Sequence, residues 1–583
     1  MRLAARMRKK EWLIQPRDKS AASLARSLKT SELIAQLLIN RGISDSEQGR
    51  SFLHPKLNAL IAPEEMPGVI DAVDRIARAI EQGEKITIYG DYDVDGITSV
   101  SILSGLFELL GVNFDYYIPH RIDEGYGLNI EAIEKIAAGK TTVMITVDCG
   151  ITAFETAEKA KELGMDLIIT DHHRPKDSGQ LPHACAIVHP GMDPSYPSQS
   201  SAGAMVAFKL AWAVVNKLKG PGQTSPELRE FLINSTIFAA MGTIADVIEL
   251  QGENRIISSF GLRAITDSEL PGITELIDAA RLTNEKIDSY HIGFFLAPIL
   301  NAAGRMGHAR LAVELLTSRS QVKALRIAKY LKDQNKQRQQ LERKIYKEAT
   351  EAIQQAGMDM PNRKSIVIGS ENWHSGVVGI VASRLTETYY RPTILFNISN
   401  GKAQASARSI EGFDILQAIE ACSGKLISYG GHAMAAGVTL KSSDLKDFAA
   451  EFERYTNDNW NEQDFVSRLN IDAVCSLKEL SIPTVKQISS LGPFGKGNES
   501  PVFATKAVRL ISAPRKVGQR GEHLQIAVCD NSANARCIGF KMADIEKKLI
   551  ENEFFDIAYS PQIDTYYGSE NVQLVLKDVR FPK

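Results

Sequence analysis

The sequence is poor in cysteine and has no pair of cysteines spaced to share a metal ion. Its six cysteines lie at positions 149, 185, 422, 475, 529 and 537, and none belongs to a Cys-x-x-Cys motif. This scatter argues against a disulfide framework and against a structural zinc site, and it fits a reducing compartment.

Long apolar runs are lacking as well. No stretch approaches the roughly 20 apolar residues that a membrane-spanning helix needs. The first ten residues carry five basic side chains with no apolar segment after them. This argues against a secretory signal but leaves an organellar transit peptide open. We therefore expect a cytoplasmic protein.

An excess of either charge is also missing. The 68 lysines and arginines nearly balance the 70 acidic residues, which leaves a formal net charge of −2. Nucleic acid would not be attracted by the chain as a whole, so any such binding must come from local clusters of basic residues. With 583 residues the chain is long enough for three or four domains.

Three aspartates follow a β-rich run in the first quarter of the chain. The run ends at Gly90, after which Asp91, Asp93 and Asp95 stand at alternate positions before an apolar helix predicted over 97–110. Carboxylates this close together repel one another, and a hard divalent cation would neutralise them. A turn with a helix cap would need only one or two of them. The stretch therefore favours a metal site.

Two further predicted strands end in residues of the same chemistry. Strand and helix patterns alternate over 86–188, which predicts a doubly wound parallel sheet. Asp148 follows one of these strands, and Asp171-His172-His173 follows another. Ligands of such sheets bind beyond the carboxyl ends of the strands. Three strand ends that carry acid or histidine therefore predict one shared site.

Asp246 is a candidate to close this site. It follows a helical region at Gly242-Thr243, where Asp246 alone would be interpreted as a helix cap. The predicted metal ligands are then five side chains: Asp93, Asp95, Asp148, His172 and Asp246.

Carboxylates with one imidazole and no thiolate favour Mn²⁺, Fe²⁺, Co²⁺ or Zn²⁺, whereas all-oxygen sites favour Mg²⁺ or Ca²⁺. Five ligands suffice for two ions about 3.5–4 Å apart that share a carboxylate, an arrangement suited to phosphodiester or phosphoanhydride hydrolysis. His173 is left outside the ligand set. We expect it to contact a scissile phosphate or to handle a proton, and a hydrogen-bonding role behind the ligands is the alternative.

The second half of the chain predicts three further parts. Residues 318–356 read as one long charged helix of about 55 Å, whose polar centre suits a helix that bridges two domains better than a coiled-coil dimer. A second α/β unit is predicted over 362–455. Short β-runs from about residue 465 predict a small all-β barrel such as an OB-fold, with most of its aromatic residues in the barrel core.

Two loops of the second α/β unit contain small residues beside basic ones. The first is Ala405-Ser406-Ala407-Arg408-Ser409, and the second is Gly430–Gly437, which we expect to open a helix of small residues. Backbone N–H groups at such a helix start can approach a phosphate, with Arg408 and His432 available to contact it. Close helix packing would explain the small residues equally well.

These motifs resemble those of the DHH phosphoesterase superfamily. The resemblance rests on Asp91-Tyr92-Asp93-Val94-Asp95-Gly96, Val147-Asp148-Cys149-Gly150, Asp171-His172-His173 and Gly242-Thr243-Ile244-Ala245-Asp246, while Gly430–Gly437 resembles its DHH-associated domain. Three further runs make the chain similar to the RecJ family of bacterial single-strand-specific DNA exonucleases: Leu300-Asn301-Ala302-Ala303-Gly304-Arg305-Met306-Gly307, Trp373-His374-Ser375-Gly376-Val377-Val378-Gly379-Ile380 and Pro493-Phe494-Gly495-Lys496-Gly497-Asn498.

The resemblance implies an activity and its setting. Such an enzyme degrades single-stranded DNA from the 5′ end to 5′-mononucleotides, using two divalent cations, with Mn²⁺ preferred and Mg²⁺ as the alternative. It acts in recombinational repair and mismatch repair. The implied partners are single-stranded DNA, single-strand binding protein and a RecQ-type helicase. The implied state is a cytoplasmic monomer that associates with the nucleoid during repair.

The resemblance also implies residue roles. Asp93 and Asp148 would hold one ion with Asp91 beside it, while Asp95, Asp148, His172 and Asp246 would hold the other. The catalytic residues would be Asp91, Asp148 and His173, the last turned toward the phosphate. The residues implied to contact DNA are Arg121, Arg305, Ser406, Arg408 and His432.

The implied domains are an N-terminal helical extension (1–55), a DHH catalytic domain (56–315), the bridging helix (316–358), a DHH-associated nucleic-acid-binding domain (359–460) and an OB-fold-like domain (461–583).

Other DHH enzymes, such as oligoribonucleases and cyclic-dinucleotide phosphodiesterases, usually end after the associated domain. A pyrophosphatase would need neither the long helix nor the barrel. A non-catalytic replication scaffold would have lost ligands, whereas every ligand position is filled here.

Overall fold

The computed structural model describes residues 10–120, 124–125, 127–176, 179–220, 223–461, 465–565 and 568–582. These residues form two units. The smaller unit joins the N-terminal residues up to Lys56 to those from Val466 onward, and the larger unit extends from Leu57 to Phe465. The predicted fold class is confirmed: the larger unit contains a parallel sheet, a long helix and a second α/β sheet, and the smaller unit is rich in β-strands.

The start of the chain contains one strand as well as helices. Its elements are β1 (Glu11–Ile14), α1 (Ala21–Leu28), α2 (Glu32–Asn40) and α3 (Ser46–Leu53). Strand β1 pairs in parallel with β12 (Arg468–Ile471), and the buried indole of Trp12 donates a hydrogen bond of 2.7 Å to Asp578. The sequence predicted only helices here. A strand of four residues can be identified only from the strand with which it pairs, and that partner lies more than 450 residues away.

A five-stranded parallel sheet opens the larger unit. Its strands run in the order β3-β2-β4-β5-β6, and every pair is parallel, as predicted. The bounds are α4 (Val69–Glu81), β2 (Ile86–Gly90), α5 (Val94–Leu110), β3 (Phe114–Tyr117), α6 (Ile130–Ala138), β4 (Val143–Val147), α7 (Phe154–Glu162), β5 (Asp166–Thr170) and β6 (Ala186–Val188). Strands β2 and β4 are buried along their whole length, because helices cover both faces of the sheet.

Helices follow the sheet. They are α8 (Gly203–Lys219), α9 (Pro226–Ala245), α10 (Gly252–Thr266), α11 (Pro271–Ala279), α12 (Ser289–His291), α13 (Ala297–Arg305) and α14 (Ala309–Leu316). A π-helical turn, Ile292–Leu296, joins α12 to α13 without a break. Among the described residues, no helix combines the length and apolarity that crossing a membrane requires.

The long helix α15 (Gln321–Gln355) contributes to two separate cores. Its N-terminal half places Ala324, Ile327, Ala328 and Leu331 in the core around the parallel sheet. Its C-terminal half places Ile345, Ala349 and Ile353 in the core of the following domain. With 35 residues it is about 52 Å long. Its apolar positions are therefore used to connect two domains, as the bridging interpretation predicts.

The second α/β domain contains a five-stranded sheet in the order β10-β11-β9-β8-β7. Its elements are β7 (Ile366–Ser370), α16 (Ser375–Tyr389), β8 (Thr393–Ser399), β9 (Lys402–Arg408), α17 (Ile415–Ala421), β10 (Leu426–His432), β11 (Ala435–Lys441) and α18 (Leu445–Asn459). The expected helix at Gly430–Gly437 is wrong, since this segment is the hairpin of β10 and β11. The small residues belong to a sheet here. Strand β11 lies between two other strands, and its Ala436 is opposite Ala407 of β9.

The rest of the smaller unit is a seven-stranded sheet with two short helices. Its elements after β12 are β13 (Ala473–Val474), α19 (Ile482–Ser489), β14 (Phe503–Leu510), β15 (Arg515–Val517), β16 (His523–Cys529), β17 (Asn534–Gly539), α20 (Glu546–Glu551), β18 (Phe555–Asp564) and β19 (Asn571–Arg580). Strand β14 pairs with both β18 and β16, which curls the sheet toward a barrel. Phe503 and Tyr559 are buried in its core, while Phe540 is exposed.

A buried ion pair fixes the helices behind the parallel sheet. Lys209 of α8 and Glu253 of α10 are almost wholly buried, and their charged groups lie 2.6 Å apart. The Glu253 carboxylate also accepts hydrogen bonds from the Ile61 N–H and the Tyr196 hydroxyl, and the Lys209 ammonium donates to the Ile61 carbonyl. Burial lowers the pKa of Lys209 while Glu253 opposes that shift. The pair therefore holds α8 and α10 together.

We predict that Lys209→Ala destabilises the chain by about 3–5 kcal/mol, because it leaves the Glu253 carboxylate buried without its cation. The matched control is Lys217→Ala on the same helix, whose pair with Asp74 is half exposed on both sides, and its cost should stay below about 1 kcal/mol. Urea unfolding followed by circular dichroism measures both variants. Equal losses would contradict the role assigned to the buried pair.

Candidate metal centre

Acidic and histidine side chains meet where three parallel strands end. Asp91, Asp93 and Asp95 follow β2, Asp148 follows β4, and His172 follows β5. Asp246 reaches the same place from the end of α9. Three overlapping groups have ligand atoms within 4.8 Å of one another: Asp91 with Asp93 and Asp148, Asp95 with His172 and Asp246, and Asp148 with His172 and His173. All five predicted ligands are thus brought together.

Two of the aspartates are held by backbone N–H groups. One oxygen of Asp93 accepts hydrogen bonds from the N–H groups of Asp95 and Gly96 and caps α5. The carboxylate of Asp95 accepts from Gly203 N–H at 2.6 Å and Ala204 N–H at 2.8 Å, the first residues of α8. Asp93 is thus the helix cap of this stretch, and its second oxygen is left for another role.

Two glycines allow helices to approach these carboxylates. A Cβ atom at Gly203 would lie 2.7 Å from the Cβ of Asp148, and one at Gly242 would lie 2.3 Å from an oxygen of Asp95. Any larger residue would displace an aspartate from the cluster. Gly242 lies inside α9, which continues to Ala245 with Asp246 as its C-cap.

The centre of the cluster is the contact between His172 and Asp148. Nε2 of His172 lies 3.0 Å from Oδ1 of Asp148, 3.6 Å from Asp95 and 3.7 Å from Asp246. Both Nε2 and that Oδ1 are buried, and neither has a hydrogen-bond partner among the described residues. Ligands of one octahedral ion at about 2.1 Å are about 3 Å apart. The residues present therefore fit a divalent cation.

The cluster is costly without a cation. Burial, followed by the neighbouring carboxylates, raises the pKa values of Asp95 and Asp148 well above their usual range. Asp148 also adopts a left-handed backbone conformation with φ of 60°. Asp246 adds its carboxylate at the negative end of the α9 dipole. Divalent cations would offset all of these unfavourable charges.

His172 has the protonation state of a ligand. Burial, together with the neighbouring His173, lowers its pKa to about 4, so the ring is neutral near pH 7. The ring also hydrogen-bonds the backbone of Ser201. A backbone partner of this kind is typical of a histidine that binds a metal through its other nitrogen.

His173 is positioned by Asp171, to which the sequence interpretation gave no role. Nδ1 of His173 lies 2.8 Å from Asp171 Oδ1. Burial opposes the charge of Asp171, but hydrogen bonds from the His173 ring and from backbone N–H groups hold its pKa at about 2. Burial likewise opposes protonation of His173, yet Asp171 raises its pKa to about 9. The ring remains half exposed, so it can meet a ligand.

His189 supports the same loop from behind. Its Nδ1 accepts from the Gly191 N–H, so Nε2 carries the proton and donates to the His173 carbonyl at 2.8 Å. The sequence offered one signal for Asp171, its place between a strand end and two histidines.

Of the residues predicted to contact DNA, Arg305, Ser406, Arg408 and His432 lie outside the acidic cluster. Arg121 is outside the described residues. Arg305, at the end of α13, donates to the Gly376 carbonyl at 3.0 Å in the first turn of α16. A Cβ atom at Gly379, one turn further, would lie 3.2 Å from both Ser406 and Arg408. Arg305, Ser406 and Arg408 therefore border the same end of α16.

His432 shares a face of the second sheet with Arg408. His432 is opposite Ala435 in the β10–β11 hairpin, and Ala435 is opposite Arg408 in the next pair. Residues that face one another across neighbouring strands project to the same side of a sheet. Ser406 is two residues before Arg408 and projects to that side as well. The three polar side chains thus form one surface.

Comparison with protein families assigns three regions of the chain. Residues 85–236 match the DHH family, N-terminal domain, residues 362–458 match the DHHA1 domain, and residues 471–578 match the RecJ OB domain.

Individual relatives extend over nearly the whole chain. A single-stranded-DNA-specific exonuclease RecJ from Bacillus subtilis is 38% identical over 99% of this chain and 71% of its own length. The protein of the same name from Haemophilus influenzae is 31% identical over 95% of this chain and 97% of its own length.

Solved structures agree with these sequence matches. The crystal structure of RecJ in complex with Mn²⁺ from Thermus thermophilus has a TM-score of 0.83 and 28% identity, covering 98% of this chain and 80% of that one. Its complex with Mg²⁺ has a TM-score of 0.77 and 26% identity, covering 98% and 79%. The ions in these two structures are those predicted for this chain.

We predict opposite effects of Asp148→Asn with and without metal. In a chelator the variant should melt at least about 2 °C higher than the unaltered chain, because one buried charge is removed. Added Mn²⁺ should raise the melting temperature of the unaltered chain and have little effect on the variant. The exposed Asp71→Asn on α4 is the control and should change neither value by more than about 1 °C. A lower melting temperature of Asp148→Asn in chelator would refute the repulsion described above.

Proposed function

Because the chain belongs to the RecJ family of single-stranded-DNA-specific exonucleases, we propose that it hydrolyses single-stranded DNA from the 5′ end and releases 5′-mononucleotides. The observation that carries this proposal is the cluster around Asp148 and His172, whose buried ligand atoms lie 3.0 Å apart. The family resemblance supports the polarity and the product.

The ligand roles that we propose are those that the family resemblance implies. Asp93 and Asp148 would hold one cation with Asp91 beside them, and Asp95, His172 and Asp246 would hold a second together with Asp148. The geometry supports this division, because Asp148 belongs to a group on each side. When bound, Mn²⁺ or Mg²⁺ supplies positive charge that activates water and stabilises the attacking and leaving oxygens of the phosphodiester.

The protein's own groups prepare this chemistry. The N–H groups at the start of α8 hold the Asp95 carboxylate in place, and Asp171 fixes the His173 ring. Because Nδ1 of His173 contacts Asp171, the other ring nitrogen is the one that His173 presents to the scissile phosphate. Asp171 is a positioning residue, since it acts through His173.

The DNA strand approaches along the second α/β domain. Its phosphates would be contacted by Arg305, Ser406, Arg408 and His432, and by Arg121 as the family resemblance implies. The support is the common surface of Ser406, Arg408 and His432 beside the first turns of α16, where backbone N–H groups also favour anions. Phosphate contacts of this kind position a strand without reading its sequence.

The family resemblance supports further proposals. The domains are those bounded at 1–55, 56–315, 316–358, 359–460 and 461–583. The chain acts as a monomer in recombinational and mismatch repair, in the cytoplasm and at the nucleoid. Its protein partners are single-strand binding protein and a RecQ-type helicase.

The first test uses 5′-labelled and 3′-labelled oligonucleotides, single-stranded and duplex, with Mn²⁺. We expect the 5′ label to leave as a mononucleotide from single strands while duplex is spared. Asp148→Ala should lower the rate by at least about 1,000-fold, because both ligand groups that include Asp148 are lost. Activity retained by Asp148→Ala would refute the bridging role, and equal attack on duplex would refute single-strand specificity.

The second test concerns Arg408. We predict that Arg408→Ala raises KM for a single strand at least fivefold with a smaller change in kcat, because a phosphate contact away from the metal centre is lost. Arg384→Ala is the matched control from the same domain. Its guanidinium covers Tyr346 and pairs with Glu342, so KM should change less than twofold. Steady-state kinetics on one oligonucleotide compares the two, and equal effects would contradict the assignment.

A further inference from the structure

Three large aromatic side chains are exposed together on one helix of the larger unit. Tyr290 is 57% exposed, Phe294 69% and Phe295 39%. Their rings touch one another, with centroid distances of 4.7 Å between Tyr290 and Phe294 and 5.9 Å between Tyr290 and Phe295. Rings of this size contribute to stability when they are buried, so a cluster left in solvent indicates a surface kept for a ligand.

The backbone at this cluster is unusual. The π-helical turn Ile292–Leu296 contains both phenylalanines, and the N–H of Ala297 donates to the Ile292 carbonyl five residues earlier. Such turns insert an extra residue into an α-helix and occur mostly at functional sites. Here the turn leaves two neighbouring rings exposed while Ile292 and Leu296 remain buried.

An accessible strip extends from the cluster along α13. Pro298, Asn301 and Arg305 are partly exposed, and they recur every three or four residues after Phe294 along α13. The residues between them, such as Ile299 and Leu300, are buried in the core. At the end of the strip, a Cβ atom on Gly304 would lie 2.3 Å from the carbonyl oxygen of Tyr92, between Asp91 and Asp93. The helix that carries the strip therefore packs, through its buried Gly304, against the backbone between Asp91 and Asp93.

We propose that Tyr290, Phe294 and Phe295 form a stacking platform for bases of the DNA strand on the 3′ side of the scissile bond. This inference rests on the proposed function and extends it. Single-stranded DNA is the occupant because the strip begins at Arg305, on the proposed strand path, and continues through the Asn301 amide to the rings. Aromatic faces bind any base, as a nuclease without sequence preference requires.

The platform also supplies selectivity for single strands. The bases of a duplex are stacked and paired, so they present no free face to a ring, whereas unpaired bases do. Selection by stacking requires no base-specific contact. It adds to any exclusion of duplex at the metal centre itself.

The distance along the helix from Arg305 to the rings determines how long a DNA strand must be to reach the platform. Arg305 and Phe294 are 11 residues apart, which is about 16 Å of helix. A strand with stacked bases covers that distance in about five nucleotides. A trinucleotide cut at its 5′ end is too short to reach the rings, whereas a 20-nucleotide strand reaches them.

The test compares kcat/KM for a 20-nucleotide strand with that for a trinucleotide, using the full chain with Mn²⁺. In the double variant Tyr290→Ala/Phe294→Ala we expect the ratio of the two values to fall at least fivefold, the usual minimum effect of removing a stacked ring. Phe294→Leu, which keeps an apolar side chain without a π-face, should lower the ratio, and Phe294→Tyr should preserve it. The control is Ile70→Ala, an exposed apolar residue on α4, with a ratio within twofold of the unaltered chain.

Several outcomes would overturn the inference. These are an unchanged ratio in the double variant, equal losses on both substrates, and equal effects of Phe294→Leu and Phe294→Tyr. The proposed function fails separately, if the unaltered chain does not cut the 20-nucleotide strand at all.

Discussion

Negative charge buried at one edge of the parallel sheet constrains the rest of the larger unit. Asp95 and Asp148 are nearly inaccessible to solvent. Burial raises the pKa of each carboxyl group, and the neighbouring carboxylates raise it further. Folding brings them together because the carboxyl ends of β2, β4 and β5 share that edge. Bound cations offset the cost of burying these carboxylates together. Metal binding thus favours the fold as well as the reaction.

The surrounding helices are arranged around this charge. The N-terminus of α8 points two N–H groups at Asp95, and Gly203 and Gly242 let α8 and α9 come within contact distance of the carboxylates. Behind them, the buried pair of Lys209 and Glu253 fixes α8 against α10. The helix whose first N–H groups hold Asp95 is therefore the same helix that the buried pair anchors.

Sequence reasoning succeeded where local pattern and topology together determine position. Strand periodicity located β2, β4 and β5, and the rule for parallel sheets then placed Asp148 and His172 beside Asp95. It failed where partners are remote, as for β1 with β12, or where small residues suit two structures, as in the β10–β11 hairpin. The positioning roles of Asp171 and His189 depend on side-chain hydrogen bonds that no spacing reveals. The aromatic platform could not be predicted, because the sequence pattern does not show whether its three rings are buried or exposed.

If two cations share Asp148, the number of Mn²⁺ ions bound per chain and the coupling between them will show it. Equilibrium dialysis of the metal-depleted chain, combined with electron paramagnetic resonance, gives both the number of ions and the magnetic coupling between them. We expect two Mn²⁺ per chain with an exchange-coupled spectrum in the unaltered protein. For Asp148→Asn we expect at most one ion and no coupling, because the shared ligand is lost. A single uncoupled ion in the unaltered chain would contradict this account, as would a coupled pair that survives the substitution.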